Sequence, residues 1–208
     1  RRQRQMCLRG RASGSQRSTL LLSLGECVFL YVTEGVGLQA LVFTDNFFGR
    51  FFDFDNDGDL DLFLPGGGRF GKDDTISGRP SGVFLNRGDW QFLDSAQQAG
   101  ISGESTLFSH GAAVGDFDAD GFPDVLVTGY GGVVLWRNLG DGTFENATVV
   151  SGLSDDRWSS SAAWGDLNGD GHLDRATAGR DADPLTGHDA ERGGVRSGEV
   201  ECLPRADG

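Results

Sequence analysis

The chain has 208 residues, of which 38% are hydrophobic and 24% charged, with 34 glycines and 15 phenylalanines. Glycine at this frequency, without a three-residue period, excludes a collagen-like chain and favours many tight turns. The formal net charge is −13, and six arginines lie within residues 1–18, so the remainder carries 12 basic against 31 acidic residues. A body this acidic lacks the basic surface that a nucleic-acid-binding protein needs.

Residues 1–18 form a basic segment that matches no repeat, and an apolar stretch over residues 19–32 follows it. The order superficially resembles a signal peptide, but Glu26 interrupts the stretch and no small-residue cleavage site follows. No run approaches the ~18 apolar residues that a membrane-spanning helix needs. The three cysteines, Cys7, Cys27 and Cys202, form neither a zinc motif nor a disulfide framework.

Internal repetition is the main feature of the sequence. Three segments begin with a Phe and end nine residues later in Gly plus an aliphatic residue; they begin at Phe29, Phe92 and Phe144. An Asp that opens an acidic loop follows each Phe by 24, 24 and 22 residues, so the loops start 63 and then 50 residues apart. A period of this length is typical of propellers and solenoids.

Short strands are predicted between these marks, at residues 111–117, 124–128, 133–136 and 143–149, each bounded by Gly, Asp or Asn. Four short strands in about 50 residues predict one blade of a β-propeller, and no long stretch has helical periodicity. We therefore expect an all-β propeller fragment of about three four-stranded blades over residues 19–179. Residues 72–80 are interpreted as a loop insertion, and 180–208 as an unmatched loop or truncated tail of a longer chain that supplies the remaining blades.

Each repeat carries a nine-residue acidic loop, named here loop 1 (residues 53–61), loop 2 (116–124) and loop 3 (166–174). Side-chain oxygens stand at positions 1, 3, 5 and 9, and Gly at position 6 allows a sharp turn. Calcium takes six to eight oxygen ligands, to which a backbone carbonyl at position 7 would contribute. The predicted ligands are Asp53, Asp55, Asp57, Asp59 and Asp61; Asp116, Asp118, Asp120, Phe122 and Asp124; and Asp166, Asn168, Asp170, His172 and Asp174.

Alternatives to a calcium loop explain the pattern less well. Solvated Asp-Gly turns account for single pairs, but not for four aligned oxygen-bearing positions in three repeats. An EF-hand needs a bidentate acid at position 12, where this chain has Leu64, Val127 and Thr177. Magnesium prefers tighter octahedral sites and zinc prefers His or Cys. Loop 3 is the weakest candidate because Asn168 removes one negative charge and Arg175 follows the loop.

Such a loop between two strands resembles the FG-GAP or VCBS-type repeats of integrin-α-like propellers. The sequences at residues 111–118 and 135–144 especially resemble the repeats of secreted proteins that also carry an ASPIC/UnbV domain. The resemblance covers roughly residues 19–179. It implies that calcium at the three loops braces the blades, that the protein is extracellular or on the cell surface, and that it mediates adhesion or ligand binding.

Two other motifs are interpreted as structural. Residues 87–89 spell Arg-Gly-Asp, but they occupy the place of Leu-Gly-Asp at 139–141 in the next repeat, which favours a turn. Residues 66–72 nearly complete a phosphate-binding loop, yet Asp73 replaces the required Ser or Thr and no helix is predicted to follow.

The expected function is a non-catalytic, calcium-dependent scaffold whose exposed loops bind an unidentified protein or carbohydrate, with no nucleic-acid partner and no membrane span. The alternative is part of a secreted carbohydrate-active enzyme that uses calcium to hold an acidic substrate, since fold does not determine function. A hydrolase or lyase domain elsewhere in the full-length gene would favour that alternative.

Overall fold

The computed structural model describes residues 49–71, 75–101, 107–153 and 158–180, together with the backbone of strands at residues 6–9, 19–25, 28–31 and 199–201. Every regular element among these residues is a β-strand, in antiparallel sheets. The predicted all-β fold is therefore confirmed. The Gly and aliphatic residue that end the first repeat, residues 72–74 of the insertion and most of the C-terminal tail lie outside the described residues.

The N-terminal strands β1 (Met6–Arg9), β2 (Thr19–Gly25) and β3 (Val28–Tyr31) form one three-stranded sheet. Strand β1 thus lies within the basic segment that matches no sequence repeat. Its Cys7 is opposite Leu21, so this segment is paired with the first apolar stretch.

The first blade consists of β4 (Arg50–Phe52), β5 (Asp61–Leu64), β8 (Gly82–Asn86) and β9 (Phe92–Asp94), in that spatial order. A separate hairpin, β6 (Gly68–Phe70) and β7 (Ile76–Gly78), is inserted between its second and third strands. Within the insertion predicted over residues 72–80, residues 76–78 are therefore a strand of a β-hairpin. The strand at residues 68–70 also occupies the near-match to a phosphate-binding loop, and another strand follows it instead of a helix.

The second blade consists of β10 (Phe108–Gly115), β11 (Asp124–Tyr130), β12 (Gly132–Asn138) and β13 (Phe144–Asn146). All four strands predicted from the sequence are present, with ends shifted by a few residues. The third blade contains β14 (Trp158–Gly165), β15 (Asp174–Arg180) and β16 (Glu199–Glu201), the last from the C-terminal tail.

The first two strands of the second and third blades have the same register, which shows that they are copies of one unit. Gly115 pairs with Asp124 and Gly165 with Asp174, and each inner strand has a bulge at the same place, after Ser109 and after Ser159. Loops 1, 2 and 3 therefore connect the first to the second strand of consecutive blades.

The core lies between the blades, because side chains on opposite faces of one strand reach opposite neighbours. On β11, Val125 and Val127 pack into a cluster with Phe54 and Phe63 of the first blade. Leu126, between them in sequence, packs on the other face with Leu135 and with Trp164 of the third blade. This face-to-face stacking is what a propeller requires of its blades.

Polar contacts also cross between the blades. The Ala99 carbonyl, in the turn after the first blade, accepts a hydrogen bond from Phe144 N at 2.9 Å. The side-chain Nδ2 of Asn138 donates to the Phe54 carbonyl in loop 1 at 2.9 Å. Ser109 Oγ accepts a bond from Gly67 N at 2.8 Å, which ties the inserted hairpin to the second blade.

The Arg-Gly-Asp sequence forms the turn that its place in the repeat predicts. Arg87 N donates to the Gln91 carbonyl at 2.7 Å, as Leu139 N does to the Thr143 carbonyl at 3.0 Å in the second blade. Gly88 and Asp89 both have positive φ, at 85° and 50°. In the part of the chain that the structure describes, no helix has the length and hydrophobicity to span a membrane.

Shortening Leu126 to alanine should show that the inter-blade core holds the fold together. Leu126 has 0% exposure, and removing such a side chain typically costs about 2–5 kcal/mol. We expect a loss of unfolding free energy in that range by urea denaturation. Leu93→Ala, at a side chain that is 50% exposed, is the matched control and should lose less than about 1 kcal/mol. Equal losses would mean that the two blades do not pack through this strand.

Candidate metal centre

The three acidic loops share one backbone arrangement, built by the carboxylate at position 1. In loop 2, Asp116 Oδ1 accepts a hydrogen bond from Asp120 N at 3.1 Å, and Oδ2 accepts one from Gly121 N at 2.9 Å. The same two bonds measure 3.1 and 2.9 Å in loop 1, and 3.1 and 3.0 Å in loop 3. The glycine at position 6 has φ of 90°, 95° and 89° in the three loops, a conformation that favours glycine.

The carboxylate at position 9 is buried and bonded to backbone on both sides. Asp124 Oδ2 accepts a hydrogen bond from Phe117 N at 2.9 Å, and Oδ1 accepts one from Asn138 N at 2.8 Å. Asp61 makes the corresponding bonds in loop 1, at 3.0 and 2.8 Å. In loop 3, Asp174 Oδ2 accepts a bond from Leu167 N at 2.8 Å. Position 9 therefore fastens its loop to the sheet.

Burial dominates the ionisation of the position-9 carboxyls of loops 1 and 2. Withdrawal from water raises the pKa of Asp61 to about 6 and the pKa of Asp124 to about 7, although two backbone N–H donors oppose each shift. The neighbouring loop acids raise both values further. Loops 1 and 2 thus each contain a carboxylate that is costly to ionise without a nearby positive charge.

Loop 1 gathers the acids of positions 1, 3 and 5 into one group. Carboxylate oxygens of Asp53, Asp55 and Asp57 all lie within 4.8 Å of one another. Asp55 Oδ1 is buried and has no hydrogen-bond partner among the described residues. Burial raises the pKa of Asp55, and the charges of Asp57 and Asp53 raise it again. An anionic oxygen that has lost water and gained no donor fits a bound cation.

Loop 2 contains a second such group, made by Asp116, Asp118 and Asp120. Here a protein cation already contacts the acids. The guanidinium of Arg137, on β12, places Nε 2.6 Å from Asp118 Oδ2 and Nη2 3.1 Å from Asp120 Oδ2. Burial raises the pKa of Asp118, and Arg137 opposes the shift. Among the described residues, the acids at positions 3 and 5 are therefore compensated by an ion pair with an arginine in loop 2 but not in loop 1.

Loop 3 has the same backbone but a weaker donor set. Asn168 at position 3 accepts a bond from Asp170 N through Oδ1 at 2.8 Å, and its Nδ2 donates to Asp170 Oδ2 at 3.2 Å. The loop thus offers Asp166 and Asp170 as carboxylates beside one amide. Within the described ranges, groups of three clustered acids occur in loops 1 and 2.

The position-7 residues were predicted to supply backbone carbonyls, and that role stays a prediction. Their backbone N–H groups donate to the position-5 carboxylate: Asp59 N to Asp57 Oδ1 at 2.9 Å, and Phe122 N to Asp120 Oδ1 at 3.0 Å. The same bond in loop 3 runs from His172 N at 2.9 Å. The chain direction at position 7 is therefore set by position 5 in all three loops.

Sequence reasoning did not identify the asparagine that joins the loops. Asn138 is fully buried; its N donates to Asp124 of loop 2, and its Nδ2 donates to the Phe54 carbonyl of loop 1 at 2.9 Å and to the Pro123 carbonyl at 3.2 Å. Asn86 has the same place in the first blade, with Nδ2 donating to the Leu60 carbonyl at 3.1 Å. The sequence does contain a signal for these asparagines, because each lies six residues before the Phe of its repeat.

Replacing Asp124 by asparagine should destabilise the protein whether or not calcium is present. An amide can accept only through its oxygen, so either Phe117 N or Asn138 N loses its acceptor, at a cost of about 1–3 kcal/mol. Urea denaturation at pH 8, in chelator and in calcium, measures the loss. The control Asp89→Asn makes the same charge change in an exposed turn and should be neutral. A loss confined to calcium-containing buffer would contradict the structural role.

Comparison with known proteins supports the repeat architecture. The FG-GAP-like repeat family matches residues 53–127 and 116–177, so the two matched repeats span all three acidic loops and more than half of the chain. No curated protein matches the chain significantly. The predicted FG-GAP resemblance is confirmed, whereas the narrower ASPIC/UnbV grouping stays a prediction. The chain belongs to the FG-GAP-like repeat family.

Proposed function

We propose that this chain is a calcium-binding, non-catalytic propeller scaffold that presents its surface loops to a protein or carbohydrate ligand outside the cell. The observation that carries the proposal is the loop 1 group, where a buried, unpaired Asp55 oxygen lies beside two further carboxylates. The loop recurs at the same strand junction in three blades, which favours a structural role for the metal over a catalytic one, because catalysis needs one site.

Calcium suits the loop better than other common metals. The candidate donors are carboxylate, amide and carbonyl oxygens, which are the ligands of hard cations. Among the described residues, the clustered groups contain no His nitrogen and no Cys sulfur, which are the ligands that zinc prefers. In loop 1 the backbone bonds at positions 1 and 9 hold the loop, and Asp55 Oδ1 at position 3 is left without a donor and available to an ion.

The metal would act by removing repulsion. Three carboxylates within 4.8 Å of one another disfavour the folded loop as long as no cation compensates them. A cation that binds only the folded state stabilises it by RT ln(1 + [L]/Kd), about 2.7 kcal/mol at 100 Kd. Because each loop joins the first two strands of a blade, this stabilisation is passed directly to the sheet.

The extracellular setting and the adhesive role rest on the resemblance to integrin-α-like repeat proteins, and the strongly acidic body argues against nucleic acid as the partner. Extracellular calcium is abundant, so loops of modest affinity would be occupied there. The ligand would contact other surface loops of the propeller rather than the loops that hold the metal.

Asp55→Asn tests the proposal at loop 1 and reproduces the residue that loop 3 has at position 3. Native protein should melt higher in calcium than in chelator; a gain of about 2.7 kcal/mol corresponds to about 5–10 °C for a chain of this size. The variant should show a smaller calcium-induced rise. In chelator it should be at least as stable as native protein, because one of the repelling charges is gone.

The control for this variant is Asp94→Asn, which removes one exposed charge on β9 where the second blade has Asn146. It should leave the calcium response unchanged. Thermal melts by circular dichroism across calcium, magnesium and chelator give the comparison. If the protein is folded but calcium does not change its melting temperature, or magnesium raises it equally, the loops are acidic turns and not calcium sites.

A further inference from the structure

We propose that Arg137 is a built-in cation of loop 2, so that loop 2 keeps its shape without metal and binds calcium more weakly than loop 1. Arg137 is then an affinity-determining residue rather than a ligand. The inference rests on the proposed calcium binding and deepens it, because it assigns different roles to two loops that are alike in sequence.

The contacts of Arg137 occupy the carboxylates that loop 2 would offer a metal. Its Nε is 2.6 Å from Asp118 Oδ2 and its Nη2 is 3.1 Å from Asp120 Oδ2. Asp118 is only 9% exposed at its side chain, so its carboxylate is largely shielded from water. A calcium ion drawing on the same two oxygens would have to displace the guanidinium, and that displacement opposes metal binding.

Arg137 is held in place from the opposite side as well. Its register partner on β13 is Glu145, whose Oε1 is 3.4 Å from Arg137 Nη1. The guanidinium therefore bridges three carboxylates on two segments, two in loop 2 and one on the outer strand β13. This arrangement restrains the long side chain over the loop even though its exposed fraction is 36%.

The first blade has an apolar pair at the same two positions. Leu85 on β8 is opposite Leu93 on β9, where the second blade has Arg137 opposite Glu145. Within the described part of the chain, Asp53, Asp55 and Asp57 form no ion pair, and Asp55 Oδ1 has no donor. Loop 1 thus depends on an external cation, whereas loop 2 contains one.

Arg137→Leu, which copies the residue of the first blade, is the direct test. Calcium affinity at loop 2 is measured by isothermal titration calorimetry in a background where Asp55→Asn and Asp57→Asn disable loop 1. In this and the complementary background, Asp166→Asn and Asp170→Asn also disable loop 3. We expect the Kd of loop 2 to fall by about ten-fold or more when Arg137 is removed. In the complementary background, with Asp118→Asn and Asp120→Asn, loop 1 should bind more tightly than loop 2 does with Arg137 present.

Arg87→Leu is the matched control. Arg87 follows Asn86 as closely as Arg137 precedes Asn138, and its charge acts on Asp55 without an ion pair. Its removal changes the net charge equally and should alter the Kd of loop 1 by less than about three-fold. A similar gain from both substitutions would show a general charge effect and overturn the specific role of Arg137.

A second readout covers the metal-free protein. In chelator, Arg137→Leu should melt lower than native protein because Asp118 and Asp120 lose their cation, and calcium should abolish that difference. Arg137→Gln keeps a polar side chain and serves if the leucine variant does not fold. If loop 1 binds calcium but Arg137 changes neither affinity nor metal-free stability, the inference is wrong and the proposed function stands. If neither loop binds calcium, both are wrong.

Discussion

The architecture depends on one buried carboxylate in each blade, at the last position of the acidic loop. Asp61 and Asp124 each accept one backbone N–H from their own loop and one from the third strand of the sheet. No other side chain of similar length could satisfy both donors, since an amide accepts at one end only. The loop, the second strand and the third strand are thereby fixed to each other before any metal is considered.

This constraint sets up an electrostatic conflict that the blades resolve differently. The backbone bonds at positions 1 and 9 hold the loop in a form that brings the acids of positions 1, 3 and 5 together. Loop 1 leaves these charges facing one another, loop 2 places a guanidinium on two of them, and loop 3 replaces one by an amide whose Nδ2 donates to Asp170. The three loops therefore share one backbone arrangement but differ in how their negative charges are compensated.

Local sequence predicted the strands and loops well because their signals are local. A run of β-branched and aliphatic residues that begins at an Asp predicts a strand over residues 124–128, and β11 spans Asp124–Tyr130. The contacts that distinguish the loops were not predictable in this way: Arg137 reaches Asp120 across 17 residues, and Asn138 reaches Phe54 across 84. The hairpin β6–β7 was missed because Gly-rich segments have weak strand propensity. The predicted metal ligands still await a direct test.

The bond from Asn138 to the Phe54 carbonyl also orders events during synthesis. The first blade can form its four strands as soon as Asp94 has left the ribosome, but its loop 1 carbonyl has no Asn138 until the second blade is made. At about 5–20 residues per second, the 44 residues from Asp94 to Asn138 take about 2–9 s to translate. For that interval the face of the first blade that contains Phe54 is not yet covered by the second blade. The nascent chain is therefore exposed to misassembly while the second blade is being made.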